Sequence, residues 1–153
     1  MSAGEFCHKP NKPWEGYDYL NRYSEGHLDL MNLVTGSGYR GAPSLNEIAV
    51  LSGIPGKIDV RGSDVADLWL ARDYKKIVEY NEHDALTTYL LWLRTSLFAG
   101  HLTQATYAEE ERRLHDFLEE RQTHFPHLHV YLDRWDALRE AQAPGASTSI
   151  APR

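Results

Sequence analysis

Residues 71–94, ARDYKKIVEYNEHDALTTYLLWLR, predict the longest helix of this chain. Apolar side chains recur in this stretch at three- and four-residue steps, the spacing of one face of an α-helix. Asp73 is placed to begin the helix, and Gly100 supplies an end signal just after Phe98. We therefore expect a helix from Asp73 to Phe98. The apolar positions that define its buried face are Ile77, Tyr80, Ala85, Leu86, Leu90, Leu93 and Leu97.

The middle of this helix carries a phenol and a carboxylate four residues apart, Tyr80 and Asp84. Residues at this spacing lie on one helix face, about one turn apart. A carboxylate can hold a divalent metal and a neighbouring phenol can orient a water, as metal-assisted phosphodiester hydrolysis requires. The same pair also occurs on ordinary amphipathic helices, where the tyrosine is buried and the aspartate is solvated.

Shorter elements are predicted before the long helix. Residues 27–31, HLDLM, alternate apolar and polar side chains and predict a short strand. Ser44 and Glu47 form a capping box for a helix that we expect to end at Gly53. Ser63 is placed to cap a second short helix. The side chains that this second helix is expected to bury are Val65, Leu68 and Trp69.

Two further helices are predicted after Gly100. The first begins near Thr103 or at Thr106, and Thr106 forms a capping box with Glu109. Trp92 in the long helix and Trp135 in the last one are both predicted to pack in the core. The apolar positions of the first helix are Tyr107, Leu114, Phe117 and Leu118, and those of the second are Leu128, Tyr131, Leu132, Trp135 and Leu138.

The elements divide the chain into three parts. Residues 1–26 contain scattered glycine, proline and aromatic residues and are expected to form an arm or loop. Residues 27–142 hold the strand and the helices. Residues 143–153, APGASTSIAPR, have the composition of a disordered tail.

The overall composition favours a soluble globular protein. The chain has 153 residues, 42% of them hydrophobic and 25% charged, which is enough to bury a core of its own. No apolar run approaches the roughly 18–20 residues of a membrane span. A single cysteine, Cys7, and no visible secretory signal agree with a cytoplasmic location. The net charge of −6 indicates no basic surface for nonspecific duplex binding, although a metal cleft is itself built of carboxylates.

The long helix and two upstream segments together resemble a known family. HLDLMNLV at 27–34 and SLNEIAVLSGIPGK at 44–57 precede the Tyr-x-x-x-Asp motif in an order and spacing that resemble the DEDDy-type 3′–5′ exonucleases. The similarity is to the group related to the proofreading domain of family B DNA polymerases. It covers residues 17–121 and corresponds to the C-terminal half of the exonuclease domain.

The resemblance implies a fold and a chemistry. The expected fold is the C-terminal portion of an α/β ribonuclease H-like domain, which in this chain is mostly helical with one short strand. Two divalent ions, Mg²⁺ or Mn²⁺, are held in the family by four carboxylates from three motifs. By this resemblance Asp84 is a metal ligand, Tyr80 positions the nucleophilic water, and the substrate is single-stranded nucleic acid. Asp29 in HLDLM corresponds to a residue that is not a ligand.

The first two carboxylate motifs of the family have no match in this sequence. No Asp-x-Glu pair occurs ahead of Asp84, and no second Asp motif precedes residues 27–31. One carboxylate cannot place two metal ions about 3.5–4 Å apart. We therefore expect the chain to be inactive alone and to need the missing first half of the domain as a partner. Arg72, Lys75 and Lys76 are candidates for contacting a phosphate backbone, although basic residues at this spacing are more often helix surface.

Two other functions are compatible with the same residues. His83-Asp84 is an HD dipeptide, which HD-type metal phosphohydrolases use together with an upstream histidine such as His27. A non-catalytic helical remnant or interaction module is the second alternative.

Outside the motif, residues 109–113, EEERR, predict a solvated helix face with intrahelical ion pairs. The histidines that are expected to face solvent rather than bind a metal are His115, His124, His127 and His129.

Overall fold

The computed structural model describes Trp14, residues 28–35 and residues 43–142. The chain divides into two compact units, Met1–Ala42 and Pro43–Arg153. The expected arm and the expected tail lie outside the described residues, except for Trp14.

In the first unit, the described residues form a short helix where the sequence predicted a strand. Helix α1 spans Leu30–Thr35. The Asp29 carboxylate accepts the backbone N–H groups of Met31 and Asn32 at 2.9 and 3.2 Å, so it caps the first turn. The predicted strand at residues 27–31 is therefore wrong. An alternation of five residues is too short to distinguish the period of a strand from that of a helix, and Asp29 acts as a helix cap. His27 lies outside the described residues.

In the second unit, the regular elements of the described part are all helical. Helix α2 spans Leu45–Leu51, a 3₁₀ turn spans Gly62–Asp64, and α3 spans Val65–Leu70. Helices α4, α5 and α6 span Tyr74–Phe98, Gln104–Arg121 and Pro126–Gln142. The mostly helical character expected of this part of the chain is confirmed. The described residues contain no strand, so they show none of the central sheet of a ribonuclease H-like fold.

Local capping explains where α2 and α4 begin and end. The Ser44 hydroxyl accepts the Glu47 N–H at 3.3 Å, and the Glu47 carboxylate accepts the Ser44 N–H at 2.7 Å, which confirms the predicted capping box. Asp73 caps α4 by accepting the N–H of Lys76. Gly53 and Gly100 follow α2 and α4 with φ of +66° and +77°, a conformation that strains other residues.

Two of the predicted caps are in other positions. Thr103 caps α5 by accepting the Thr106 N–H at 3.1 Å, so the alternative start at Thr106 is wrong. Ser63 does not cap α3, because its hydroxyl donates to the Asp64 carboxylate, which accepts the Arg61 N–H and closes the 3₁₀ turn. The predicted burial along α3 is also wrong, since this helix has no buried residue and Trp69 is 61% exposed. Its predicted apolar face comprised Val65, Leu68 and Trp69.

The core lies where α4, α5 and α6 pack against one another. Its largest fully buried side chains come from all three helices. Burying such a side chain stabilises the fold by about 1.5–3 kcal/mol, which makes this three-helix contact the main source of stability. Trp135 belongs to the core as predicted, whereas Trp92 is 38% exposed and stacks on Tyr89. The core side chains from these helices include Leu90, Leu93, Leu118, Tyr131 and Trp135.

Polar contacts tie the loop after α2 to the helices. Thr87 donates to the carbonyl of Pro55 at 3.0 Å, and the Tyr131 hydroxyl donates to Thr87 at 3.1 Å. Arg94 donates to the Ser52 carbonyl at 2.6 Å from the same side of α4. These buried bonds hold the segment that follows α2 against α4 and α6. No helix among the described residues is both long enough and apolar enough to cross a membrane.

Candidate functional site around Tyr80 and Asp84

Tyr80 lies on α4, and its phenol is partly buried. Burial raises its pKa to about 12, and the neighbouring Asp84 carboxylate adds to the shift. A Cβ atom placed on Gly62 would lie 3.3 Å from the Tyr80 hydroxyl oxygen, so the 3₁₀ turn lies directly against the phenol. Tyr80 therefore remains a neutral hydrogen-bond donor at physiological pH.

Asp84 is close to a second tyrosine in addition to Tyr80. The pKa of Tyr131 is raised chiefly by burial, and the negative charge of Asp84 contributes to the same shift. Asp84 is partly exposed, so one side of the carboxylate is accessible while two phenols lie nearby. This arrangement gives a single carboxylate, with a neutral donor beside it, at the surface of the long helix.

His83 has a structural role that separates it from Asp84. Its imidazole is buried, its Nε2 donates to the His127 carbonyl at 2.9 Å, and its ring stacks on Tyr131 at 5.5 Å. The ring thus connects α4 to α6. An HD-type metal site needs this imidazole nitrogen as a ligand. Because the nitrogen carries the proton of this hydrogen bond, it has no lone pair free for a metal.

His127 is enclosed by carboxylates instead of facing solvent. Its Nε2 is hydrogen-bonded to Glu82, its Nδ1 lies 3.7 Å from Glu79, and its side chain is only 11% exposed. The prediction that this histidine faces solvent is wrong. It fastens the first turn of α6 to the exposed side of α4, on the same stretch that carries Tyr80.

The other three histidines do not converge on one site. His115 is also shielded, with Nε2 3.0 Å from Asp136, so its predicted exposure is wrong as well. His124 and His129 are exposed, as predicted. The four imidazoles each use different partners, and the structure does not assemble them into a metal centre.

The described residues contain one group of three side chains that could hold a metal ion, and Asp84 is not in it. The group is His115, Asp116 and Glu119 on α5. Asp116 already pairs with Arg112 at 2.7 Å, so this group is a partly neutralised helix face. Around Asp84 the described side chains do not by themselves fit a two-metal centre, which needs several carboxylates about the two ions.

The basic residues that precede the Tyr80 turn are largely engaged within α4. Lys75 lies 3.7 Å from Glu79, and Lys76 lies 3.3 Å from its helix cap Asp73. Arg72 is exposed and adopts φ of +60° in the turn before α4. The proposed contact of Arg72, Lys75 and Lys76 with a phosphate backbone stays a prediction.

Residues 109–113 combine the predicted ion pairs with contacts to the core. Arg113 pairs with Glu109 and Glu110 at 2.7 and 3.0 Å, which confirms the predicted intrahelical pairing. Glu110 also accepts the Tyr89 hydroxyl at 3.0 Å, and Glu111 accepts the Tyr107 hydroxyl at 2.5 Å. Glu110 therefore links α5 to α4 through Tyr89, whereas the bond between Glu111 and Tyr107 stays within α5.

A polar groove lies beside the 3₁₀ turn that contacts Tyr80. Its volume is about 650 Å³, and Lys57, Arg61 and Arg134 line it together with Gly62. No sequence pattern indicated this site, because Arg134 is separated from Lys57 by 77 residues and only the packing of α6 brings them together.

Comparison with known proteins assigns the chain to a family. Residues 1–135 match the model of a family described as a predicted 3′–5′ exonuclease related to the exonuclease domain of PolB. The chain belongs to this exonuclease family. The match confirms the resemblance inferred from the sequence and extends beyond residues 17–121. No curated protein and no solved structure matches the chain.

Membership of this exonuclease family gives the Tyr80–Asp84 pair a context that geometry alone does not provide. The pair lies inside the matched region, on a helix whose bounds agree with the sequence prediction. The family is related to PolB proofreading domains, whose ribonuclease H-like sheet stays a prediction for this chain.

Proposed function

We propose that this chain supplies the third-motif pair, Tyr80 and Asp84, to a metal-dependent 3′–5′ exonuclease centre. Family membership over residues 1–135 is the observation that carries the proposal. The position of both side chains on one face of α4, with their electrostatic interaction, supports it. The substrate class is single-stranded nucleic acid, and the metal is Mg²⁺ or Mn²⁺.

In this proposal the remaining carboxylates come from a segment that carries Asp-x-Glu and the second Asp motif. That segment is the first half of the exonuclease domain, on the same polypeptide or a separate one. The metals would activate water and stabilise the attacking and leaving oxygens at phosphorus. Asp84 would ligate metal through its partly exposed carboxylate. Tyr80 stays protonated and would hold the water through its hydroxyl.

The test is reconstitution with a first half that carries the two missing motifs, added in trans or fused ahead of Met1. We expect Mg²⁺- or Mn²⁺-dependent release of nucleoside 5′-monophosphates from single-stranded DNA, and none from the chain alone. Asp84→Asn should remove nearly all of this activity. Tyr80→Phe should lower kcat by about 10²–10³-fold, the scale of losing one positioned donor, with metal binding intact.

Asp133→Asn is the matched control, because it removes an exposed carboxylate on α6 that, among the described residues, pairs only with His129. It should leave the reconstituted activity unchanged. Robust activity in the chain alone, or a reconstituted enzyme indifferent to Asp84→Asn, contradicts the proposal. A reconstituted complex that forms but never hydrolyses DNA favours the non-catalytic interaction module instead.

A further inference from the structure

We propose that the groove lined by Lys57, Arg61 and Arg134 binds the phosphodiester backbone of single-stranded nucleic acid. We call it the cationic groove. The inference deepens the proposed function and rests on it for the choice of a nucleic acid as the polymer. The affinity for phosphate comes from the groove itself, because two cations of the loop after α2 and one cation of α6 converge there.

The charge of the cationic groove is not neutralised by ion pairs. Lys57, Arg61 and Arg134 are exposed, and none lies within ion-pair distance of a carboxylate in the described ranges, unlike Lys75 and Lys76. Arg112 and Arg113 of α5 also form ion pairs, and both do so within their own helix. In a chain with net charge −6, three cations in one groove without an ion-pair partner among the described residues favour an anionic ligand.

The groove wall is held in a fixed shape. The Lys57 N–H donates to the Asn46 side-chain oxygen at 2.7 Å, and Arg134 donates to the Lys57 carbonyl at 3.3 Å. A Cβ atom on Gly56 would lie 2.3 Å from the Asn46 oxygen, so only glycine leaves room for this bond. The loop after α2 is thus fastened to both α2 and α6, and the cations project from a preorganised wall.

The nearest carboxylates oppose the cations only weakly. Asp64 is engaged by the Arg61 N–H, which is the main cause of its lowered pKa, and then by Ser63. The charges of Arg61 and Lys57 make smaller contributions to the same shift. Asp59 lines the groove in a tight turn with φ of +56° and is its one acidic lining residue. Three cations therefore face one carboxylate.

The cationic groove and Tyr80 of the candidate exonuclease site lie against the same 3₁₀ turn. Gly62 lines the groove, and its Cβ position lies 3.3 Å from the Tyr80 hydroxyl oxygen. A strand of nucleic acid held in the groove would therefore lie against the turn that also contacts Tyr80. The groove volume of about 650 Å³ also lies within the range of ligand-binding clefts, about 300–1,000 Å³.

Binding of a short single-stranded oligonucleotide tests the inference directly. The full chain would be titrated into a fluorescein-labelled DNA of about 12 nucleotides at low salt with EDTA, and anisotropy recorded. Arg61→Gln together with Arg134→Gln should weaken binding at least about tenfold. It should also lower the magnitude of the salt slope, log Kobs against log[salt], by about 1.4, since each lost phosphate contact on a single strand contributes about 0.7.

Arg112→Gln with Arg113→Gln is the matched control, since it removes the same charge from an exposed helix face where both arginines are already paired. We expect less than about a twofold change. Arg61→Gln alone is the second variant, because the Arg61 side chain makes no ion pair within the described part and its loss leaves the Arg134 bond intact. The inference is overturned if both double variants lose the same affinity for the oligonucleotide, or if the parent chain does not bind it.

Competition with inorganic phosphate tests whether the groove binds a phosphodiester chain or a single phosphate group. If the groove follows a backbone, phosphate should compete only at concentrations far above those of the oligonucleotide, because it fills one position rather than several. Displacement by phosphate at the oligonucleotide's own concentration range makes the groove a monophosphate site and contradicts the proposal.

The failures of the two proposals can be told apart. Asp84→Asn should bind the oligonucleotide in EDTA as the parent does while abolishing reconstituted hydrolysis. If hydrolysis is never reconstituted but the Arg61/Arg134 variant still weakens binding, the exonuclease proposal fails and the groove stands. If hydrolysis is reconstituted and the same variant leaves KM unchanged, the groove fails and the exonuclease proposal stands.

Discussion

Tyr80 shows how burial and a neighbouring charge act together on one side chain. The phenol is partly buried on α4, and both desolvation and Asp84 disfavour the phenolate. In the unfolded chain neither influence remains, and the pKa returns to about 10. The hydroxyl is thereby kept as a donor at every pH at which the protein works, which suits a residue that holds a water but does not itself lose a proton.

This shift predicts a pH dependence of stability. Because the folded pKa of about 12 exceeds the unfolded value of about 10, the folded chain binds more protons in that window. The contribution of Tyr80 is therefore fully present below about pH 10 and is lost as the pH rises towards 12. Urea unfolding from about pH 9 to 11.5 should show a shallower fall in the free energy of unfolding for Tyr80→Phe than for the parent. Tyr74→Phe, which removes an exposed hydroxyl, is the control, and equal slopes in all three proteins refute the prediction.

At the scale of elements, the ends of the helices are set by single side chains. Helix α5 begins at Thr103, whose hydroxyl accepts the Thr106 N–H, although Thr106 and Glu109 alone fit a capping-box pattern. The competing start fails because Thr106 is already inside the first turn. A cap satisfies an N–H group that otherwise has no partner within the helix.

The two threonines provide a matched pair of variants. Thr103→Ala should lower the free energy of unfolding by about 0.5–2 kcal/mol, the usual cost of losing an N-cap hydroxyl. Thr106→Ala should cost clearly less, since its hydroxyl only touches that of Thr103 at 2.9 Å. Both can be measured by chemical denaturation at pH 7. A larger loss for Thr106→Ala would mean that the helix begins three residues later.

At the scale of the whole molecule, the described part buries a three-helix core yet leaves large apolar side chains in solvent. Leu70 is 79% exposed, and Trp69 is 61% exposed although its ring meets Tyr74 edge-on at 5.0 Å. Phe98 is 95% exposed at the end of α4. Adjacent exposed apolar groups of this size favour association with another surface.

We therefore expect the chain made alone to bind a hydrophobic dye and to self-associate. Leu70→Glu should reduce both effects without unfolding the protein, because the side chain is mostly solvent-exposed already. Val130→Glu, at an exposed position on α6, is a control for the added charge. Adding the first half of the exonuclease domain should also suppress dye binding. A monomer that melts sharply and binds no dye contradicts the half-domain interpretation.

The sequence predicted those features that depend on neighbours along the chain. The Ser44–Glu47 capping box, the start of α4 at Asp73 and the glycine ends at Gly53 and Gly100 are local hydrogen-bonding or backbone requirements, and all are confirmed. Family membership was also predicted from local motifs. Residues 27–31 were misread for the same local reason, since a short alternating stretch is ambiguous and its aspartate is a good helix cap.

The tertiary structure alone decided which side chains meet across helices. His127 is enclosed by Glu79 and Glu82, more than forty residues earlier in the chain, and nothing near His127 indicates it. The cationic groove likewise exists only because α6 brings Arg134 to the loop after α2. The physical reason is that caps and turns are satisfied within a few residues, whereas burial and charge clusters depend on how the helices pack.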